Sequence, residues 1–472
     1  MHQRKTKIVC TLGPATESAE GIASLIEAGM DVVRLNFSHG DREDHRQKIH
    51  RIREVSKSVG RQIGILQDLG GPKIRLGELP EEGVHLEAGS TVALGVEGQK
   101  EAGVLPVSYQ YLLEDVGAGE RILLADGLAE LEVQEVKKDR LLCRVVIGGT
   151  VTSRKGVNLP QANLRVAAFT EKDRADLEVG LEEAVDFVAL SFVRHEDDLL
   201  PVRERISQLD RPPMLIAKIE KPQAVDRLQP ILEAVDGVMV ARGDLGVEMP
   251  PEKVPMIQKD IIAAARRAGK PVITATQMLR SMVDSPRPLR AEASDVANAV
   301  LDGTDAVMLS EETAIGNYPA EAVRVLHRVS LEAEPKIDHA EMLTDSVSPV
   351  VPHITGAISR AACELAANIG AAAIVTTTAS GDTARLVARL RPETPVLAMT
   401  TSVAAARQLN LSWGVVSETA EATESTEILG RAILAALENY GLGGNGDRVV
   451  ITAGLPLGSS GSTNVIRVEV LD

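Results

Sequence analysis

Asp68-Leu69-Gly70-Gly71-Pro72-Lys73-Ile74-Arg75 brings a carboxylate, a Gly-Gly-Pro turn and two cations into one short segment. It follows an apolar run, Ile63 to Leu66, that reads as a buried strand. A strand that ends on an acid and enters a Gly-Pro turn places charge at the mouth of a sheet, where ligands bind. Taken alone, a salt-bridged turn explains the segment equally well. The layout recurs, though: Arg34-Leu35-Asn36-Phe37-Ser38-His39, Lys218-Ile219-Glu220-Lys221, Arg242-Gly243-Asp244, Thr276-Gln277 and Ser310-Glu311-Glu312 all close apolar runs. Charges there are costly unless paired or bound to a ligand.

Glu220 and Asp244, at consecutive strand ends, have the form of a hard-oxygen pair. Few carboxylates with room for water suit Mg²⁺ or Mn²⁺ shared with a substrate. The bland alternative pairs Glu220 with Lys218 and Asp244 with Arg242. Lys218 lies two residues before Glu220, on the same strand face. It could neutralise a transferring phosphoryl group, form a Schiff base with a ketone, or serve as a plain ion-pair partner. Arg34 and Arg75 offer bidentate forks for phosphate or carboxylate.

These groups need a scaffold that gathers strand ends. Strands are expected at Lys7–Leu12, Asp31–Asn36, Gln62–Asp68, Phe187–Ser191, Met214–Ile219, Gly237–Arg242, Pro271–Gln277 and Ala306–Glu311. Between them fall helical stretches at Ser18–Ala28, Arg42–Val59, Glu196–Gln208, Pro222–Ala234 and Val254–Ala268, several stopped by glycine. Eight strands alternating with helices predict an α/β fold, the closed (β/α)₈ TIM barrel. Residues 71–154 break that rhythm with short alternating strands and read as a small inserted β lid domain. Removing them leaves 1–70 and 155–340, close to the ~250 residues usual for the barrel. Ser346–Pro352 reads as a linker. Residues 346–472 form a C-terminal α/β domain with strands at Ala373–Thr377, Val396–Met399, Val449–Ala453 and Val465–Val470, and no internal repeat stands out.

With 51 Lys and Arg against 67 Asp and Glu, the net charge of −16 argues against nucleic acid as a partner. An anionic substrate would need a local cluster of cations. Cys10, Cys143 and Cys363 are widely spaced and read as core thiols in a reducing compartment. No signal core and no membrane-length apolar run is visible, so a cytoplasmic protein is expected. Gly441-Leu442-Gly443-Gly444-Asn445-Gly446 spells GxGxxG but follows a helix and precedes a strand, the wrong order for a dinucleotide fingerprint. Thr378, Ser380, Gly381 and Thr383, between a strand and a helix, could bind an anion. On the residues alone, helix capping is the preferred reading.

With these residues assembled, the chain resembles the pyruvate kinases over nearly its whole length. The words that carry the resemblance are TKIVCTLGPA at 6–15, RLNFSHG at 34–40, KGVNLP at 155–160, AKIE at 217–220, VARGDLG at 240–246, ATQML at 275–279 and MLSEETA at 308–314. The resemblance implies transfer of a phosphoryl group from phosphoenolpyruvate to ADP, giving pyruvate and ATP. It implies Mg²⁺ on Glu220 and Asp244, catalysis by Lys218, Arg34 and Thr276, and substrate contacts at Gly243, Asp244 and Ser310. Asn36, His39, Arg75 and Lys155 are implied at the nucleotide.

Potassium-dependent members carry glutamate and threonine where this chain has Lys73 and Leu69, while Asn36, Ser38 and Asp68 still match the monovalent-cation pocket. No K⁺ requirement is therefore expected. Asp382, in a loop often basic or neutral in effector sites, argues against fructose bisphosphate and leaves room for a smaller sugar phosphate. The family is usually homotetrameric. Some bacterial members continue into a further domain beyond the position of Asp472. A Mg²⁺-dependent barrel lyase or aldolase acting on a pyruvate enolate is the alternative, and a non-catalytic sugar-phosphate sensor a more distant one.

Overall fold

The computed structural model describes residues 4–98, 103–162, 164–345, 354–423, 425–454 and 463–471; the expected linker lies outside them. Strands β1 (Lys7–Thr11), β2 (Val32–Asn36), β3 (Gly64–Leu69), β4 (Phe187–Leu190), β5 (Met214–Ile219), β6 (Gly237–Ala241), β7 (Val272–Ala275) and β8 (Ala306–Leu309) close a parallel barrel, each pairing with its neighbours in sequence and β8 with β1. All eight expected strands are present, most of them shorter by a residue or two. Helices also form at Glu171–Glu182, Arg290–Leu301 and Pro319–Ala333. The first begins in a capping box, in which Thr170 and Asp173 bond reciprocally.

Side chains alternate along each strand, so every second residue faces the barrel interior. On β5 the outward file is Leu215, Ala217 and Ile219, packed under the helices. The inward file begins with Met214 and Ile216, which join Val9, Val32, Leu66, Phe187, Met239, Ile273 and Met308 in an apolar plug. It continues upward with Lys218. The same period sets Thr11, Arg34 and Asp68 above the plug on β1, β2 and β3. Gly237 is required low in the barrel, because a Cβ there would sit 2.7 Å from Ile216 Cδ1.

The lower rim carries a fourfold pattern that sequence reading did not register. Asp31, Asp186, Asp236 and Asp305 directly precede the even strands. Each carboxylate accepts the amide of a residue on the odd strand before it: Ile8 at 2.8 Å, Ile65 at 2.9 Å, Leu215 at 2.8 Å and Val272 at 3.1 Å. Each also faces an arginine, respectively Arg4, Arg53 with Arg407, Arg203, and Arg391. The aspartates thus tie neighbouring strands together where the ladder begins.

The C-terminal domain docks on this rim. Its sheet has the order β11-β10-β9-β12-β13, from β9 (Ala373–Thr377), β10 (Val396–Thr400), β11 (Val415–Thr419), β12 (Arg448–Gly454) and β13 (Thr463–Val470), with only β13 antiparallel. β11 is an addition to the expected set. Arg407 and Arg391 come from this domain, the Trp413 amide donates to Asp305 at 3.1 Å, and Leu411 enters the apolar plug from below. At the other end, the inserted domain forms a six-stranded sheet and a two-stranded one over their own core, built around Leu94, Ile122, Leu131 and Cys143. All three cysteines are free and buried. Among the described residues no helix is long and apolar enough to cross a membrane.

The rim makes a graded prediction. Asp186→Ala strands buried partners and is expected to cost about 3–5 kcal/mol in urea unfolding followed by Trp413 fluorescence. Asp236→Ala, at a carboxylate whose side chain is 32% exposed, is expected to cost clearly less.

Candidate functional site

Lys218 is the centre of the barrel mouth. Only 8% of it is exposed, and its Nζ lies 2.8 Å from Glu220 Oε1 and 3.3 Å from Asp68 Oδ1 while donating to Ser191 Oγ at 2.8 Å. Burial opposes the ammonium, but the charges of Asp68 and Glu220 outweigh it, and the pKa is raised. A Schiff-base nucleophile needs the free amine, so this setting disfavours the aldolase reading of Lys218. Asp68 also accepts from Arg34 Nε at 2.7 Å, and Arg34 in turn donates to Thr11 Oγ1 at 2.9 Å. Burial favours the neutral acid at Asp68, yet Lys218 and Arg34 hold its carboxyl below the usual range.

Glu220 is treated differently. Its Oε2 accepts the Phe192 amide at 2.8 Å, but it has no arginine of its own. Burial lifts its pKa even against Lys218, and nearby Asp244 adds to the rise. Two carboxylates share one ammonium, and Glu220 is the one left short of positive charge. Asp244 is half-buried and has no ion pair among the described residues. Arg242, its partner in the bland reading, pairs with Asp295 instead, at 2.7 Å. Among the described residues no three His, Cys, Asp or Glu side chains cluster as a metal site. A cation here would rest on Glu220 and Asp244 and fill its shell with water and substrate oxygens, which suits Mg²⁺ or Mn²⁺.

Thr276 and Gln277 directly follow β7 with φ of 69° and 53°, a conformation unfavourable for side chains of this kind. Arg242 holds it by donating to Ala275 O at 3.2 Å and Thr276 O at 2.8 Å. Thr276 Oγ1 donates to Ala275 O and accepts the Gly243 amide, both at 2.6 Å. Gly243 can reach a ligand only by giving up that bond. Ser310 sits above β8, its amide held by buried Glu312 at 2.8 Å.

A second group of side chains is cationic. The pKa of His39 is lowered by burial and by Lys73, Arg75, Arg34 and Lys172, which gathers these cations at one edge of the mouth. The pKa of Lys73 is lowered too, by burial, Lys218 and Arg75, while Asp244 and Asp68 pull the other way. Lys73 is crowded by the mouth on one side while the rest of its surface stays open to solvent, and it has no ion pair among the described residues. Asn36 Oδ1 accepts the Ser38 amide at 3.1 Å. Leu69 packs its side chain in the outer core, and its carbonyl accepts from Ser191. Lys155 is exposed and has no ion pair among the described residues.

Sequence reasoning missed Ser191, Thr11, the Phe192 amide and Lys172. Ser191 and Thr11 were legible as inward positions of strands already drawn; the other two follow only from folding.

In the C-terminal domain the proposed anion loop is occupied with itself. Ser380 donates to Asp382 at 2.6 Å, the Gly381 amide to Thr378 at 2.9 Å, and Arg385 pairs with Asp382 at 2.7 Å. Thr383 is buried against Thr463. These contacts tie the loop to itself, and the helix Asp382–Ala388 that follows has Gly381 at its N-cap with no side-chain cap, unlike the capping preferred on the residues alone.

Comparison with known proteins agrees with this geometry. The family model for the pyruvate kinase barrel domain matches residues 3–323, and that for the pyruvate kinase alpha/beta domain matches 356–469. A pyruvate kinase of Geobacillus stearothermophilus is 48% identical over 99% of this chain and 81% of the relative. One from Staphylococcus epidermidis is 45% identical over 99% and 80%. A crystal structure of a pyruvate kinase from Cryptosporidium parvum superposes with a TM-score of 0.94 at 38% identity, covering 99% of this chain and 96% of that one.

The buried triad predicts a pH-dependent cost. Lys218, with its raised pKa, contributes stability that is complete below the unfolded lysine value near ~10.4 and is lost as pH rises through the folded one. Lys218→Met is expected to cost about 3–5 kcal/mol at neutral pH by leaving buried carboxylates unpaired. Unfolding in denaturant should show that deficit shrinking in acid, as Asp68 and Glu220 take up protons.

Proposed function

Because the chain belongs to the pyruvate kinase family, we propose that its barrel transfers the phosphoryl group of phosphoenolpyruvate to ADP at Lys218, and does so without K⁺. The observation that supports this best is the charge imbalance at the mouth: Asp244 has no ion pair among the described residues and Glu220 shares the one Lys218 ammonium with Asp68, while Arg34, Lys218 and the His39 edge supply donors for phosphate oxygens.

Arg34 and Lys218 draw charge from the transferring phosphoryl as it passes between oxygens. Ser191 and Asp68 keep the Lys218 ammonium aimed. A divalent cation on Glu220 and Asp244, when bound, polarises the phosphate and the substrate carboxylate. The start of the helix Arg242–Glu248, with Gly243 and Asp244, receives that carboxylate, and Ser310 borders it. Thr276 holds a hydroxyl proton beside the position where enolpyruvate must be protonated, and turning away from Ala275 O would release it. His39, Arg75, Asn36 and Lys155 face the ADP phosphates. Lys73, drawn toward Asp68 and Asp244, places an ammonium where other members use a monovalent ion.

Residues 1–70 with 155–340 are the catalytic barrel, 71–154 the lid that keeps water from the phosphoryl group, and 346–472 the regulatory domain. Its 378–383 loop would bind a sugar phosphate only by opening its internal bonds. The family's tetramer and the cytoplasm complete the reading.

Two measurements test it. Glu220→Gln and Asp244→Asn are each expected to weaken Mn²⁺ binding, read by titration calorimetry, by about tenfold or more, with activity falling in parallel. Replacing tetramethylammonium chloride with KCl is expected to leave wild-type turnover nearly unchanged, whereas Lys73→Glu should make turnover rise with K⁺. Strong K⁺ stimulation of the wild type would sink the role given to Lys73.

A further inference from the structure

Glu248 ends the helix Arg242–Glu248 that follows β6, and its side chain is fully enclosed. Its Oε1 takes two partners at once: Lys221 Nζ at 2.5 Å and Asn158 Nδ2 at 2.8 Å. Its Oε2 is buried with no hydrogen-bond partner. The three residues come from three different elements, two of the barrel and one of the inserted sheet. Lys221 is the residue after Glu220, is itself buried, and lies 5.5 Å over the ring of Phe192, whose amide holds Glu220. Asn158 belongs to the inserted sheet, where it pairs with Leu123 across an antiparallel ladder. Glu248 itself closes the helix whose first turn contains Gly243 and Asp244.

A carboxylate placed only for stability needs one cation. This one also accepts from a side-chain amide of the inserted sheet, and its other oxygen is buried without a hydrogen-bond partner. Of the described contacts it is the one that joins the inserted sheet to both strand ends bearing Glu220 and Asp244. We propose that Glu248 is a positioning residue for phosphoryl transfer: by clamping Asn158 to Lys221 it fixes the base of the lid over the phosphoryl site and so limits the water that reaches it. The inference rests on the inserted domain acting as the lid, its sheet running past residue 154 to include Val157–Asn158.

When the clamp fails, a water oxygen attacks phosphorus in place of ADP. A P–O bond to water forms, the bond to the enol oxygen breaks, and the enolate takes up a proton to give pyruvate and inorganic phosphate. The leak is therefore measurable as phosphate released against ATP formed.

Two variants separate positioning from folding. Glu248→Gln keeps the bond to Asn158 and the volume but loses the charge facing Lys221. Asn158→Ala cuts the tether to the lid and leaves the buried ion pair whole. Phosphate and ATP would be measured for both and for wild type, with and without ADP, together with kcat, the KM for phosphoenolpyruvate and the melting temperature. Both variants are expected to lose about tenfold in kcat with little change in KM, and to raise the phosphate-to-ATP ratio several-fold. A ratio equal to wild type in both, whatever the melting temperature, overturns the proposal and leaves Glu248 a structural residue. If wild type releases phosphate as fast without ADP as it makes ATP with it, the lid reading itself fails, and the inference with it.

Discussion

An ammonium held out of water between two carboxylates is the constraint around which the rest of the molecule is arranged. Lys218 is stable there only because Asp68 and Glu220 flank it, Ser191 accepts its third bond, and Arg34 relieves Asp68 of carrying the charge alone. Each of those groups comes from a different strand, so the arrangement exists only if β2, β3, β4 and β5 are adjacent and in register. A closed parallel barrel supplies that adjacency, and the two-residue period of each strand decides which side chains enter. On β5 the same inward file is apolar at Met214 and Ile216 and ionic at Lys218, so one strand belongs to a stability layer and a chemical layer within a few residues.

The opposite rim shows where rigidity is placed. Four aspartates lock alternate strand starts, and two of them, Asp186 and Asp305, are shared with arginines of the C-terminal domain. Leu411 plugs the lower opening, so the barrel is sealed below and open above. That polarity lets the upper ends carry Thr276 and Gln277 in left-handed conformations and leave Glu220 short of charge. Strain at a site persists when the surroundings determine it more strongly than the local preference does; here Arg242 and the ladders beneath impose it.

Much of this was legible in the sequence because it follows from local rules. Strand positions followed from apolar runs, and Asp68, Lys218, Glu220 and Asp244 declared themselves as charges at strand ends. The inserted β domain showed as a change in periodicity. What stayed hidden depends on long-range pairing. The aspartate ring is four single residues in four ordinary turns, and nothing local separates Asp186 from any other residue before a strand. Arg242 was assigned in the bland reading to the nearest acid, Asp244, yet it reaches Asp295, fifty-three residues on.

Charge makes the same point on a larger scale. A chain with net charge −16 should repel the anions this family handles, and the mean value carries no hint of how it avoids doing so. Burial lowers the pKa of His39, and the nearby charges of Lys73, Arg75, Arg34 and Lys172 add to the shift, so several cations lie near one point of the mouth. Low-dielectric walls concentrate such a field within a cleft, while exposed surface charge is screened over about 8–10 Å at ordinary ionic strength. A small anion that enters the mouth therefore meets the local cations at close range. A long polyanion spread over the surface meets mainly the acidic remainder. Local placement, rather than total charge, then decides which anions can come close to these cations, and the barrel provides it by bringing its strand ends to one mouth.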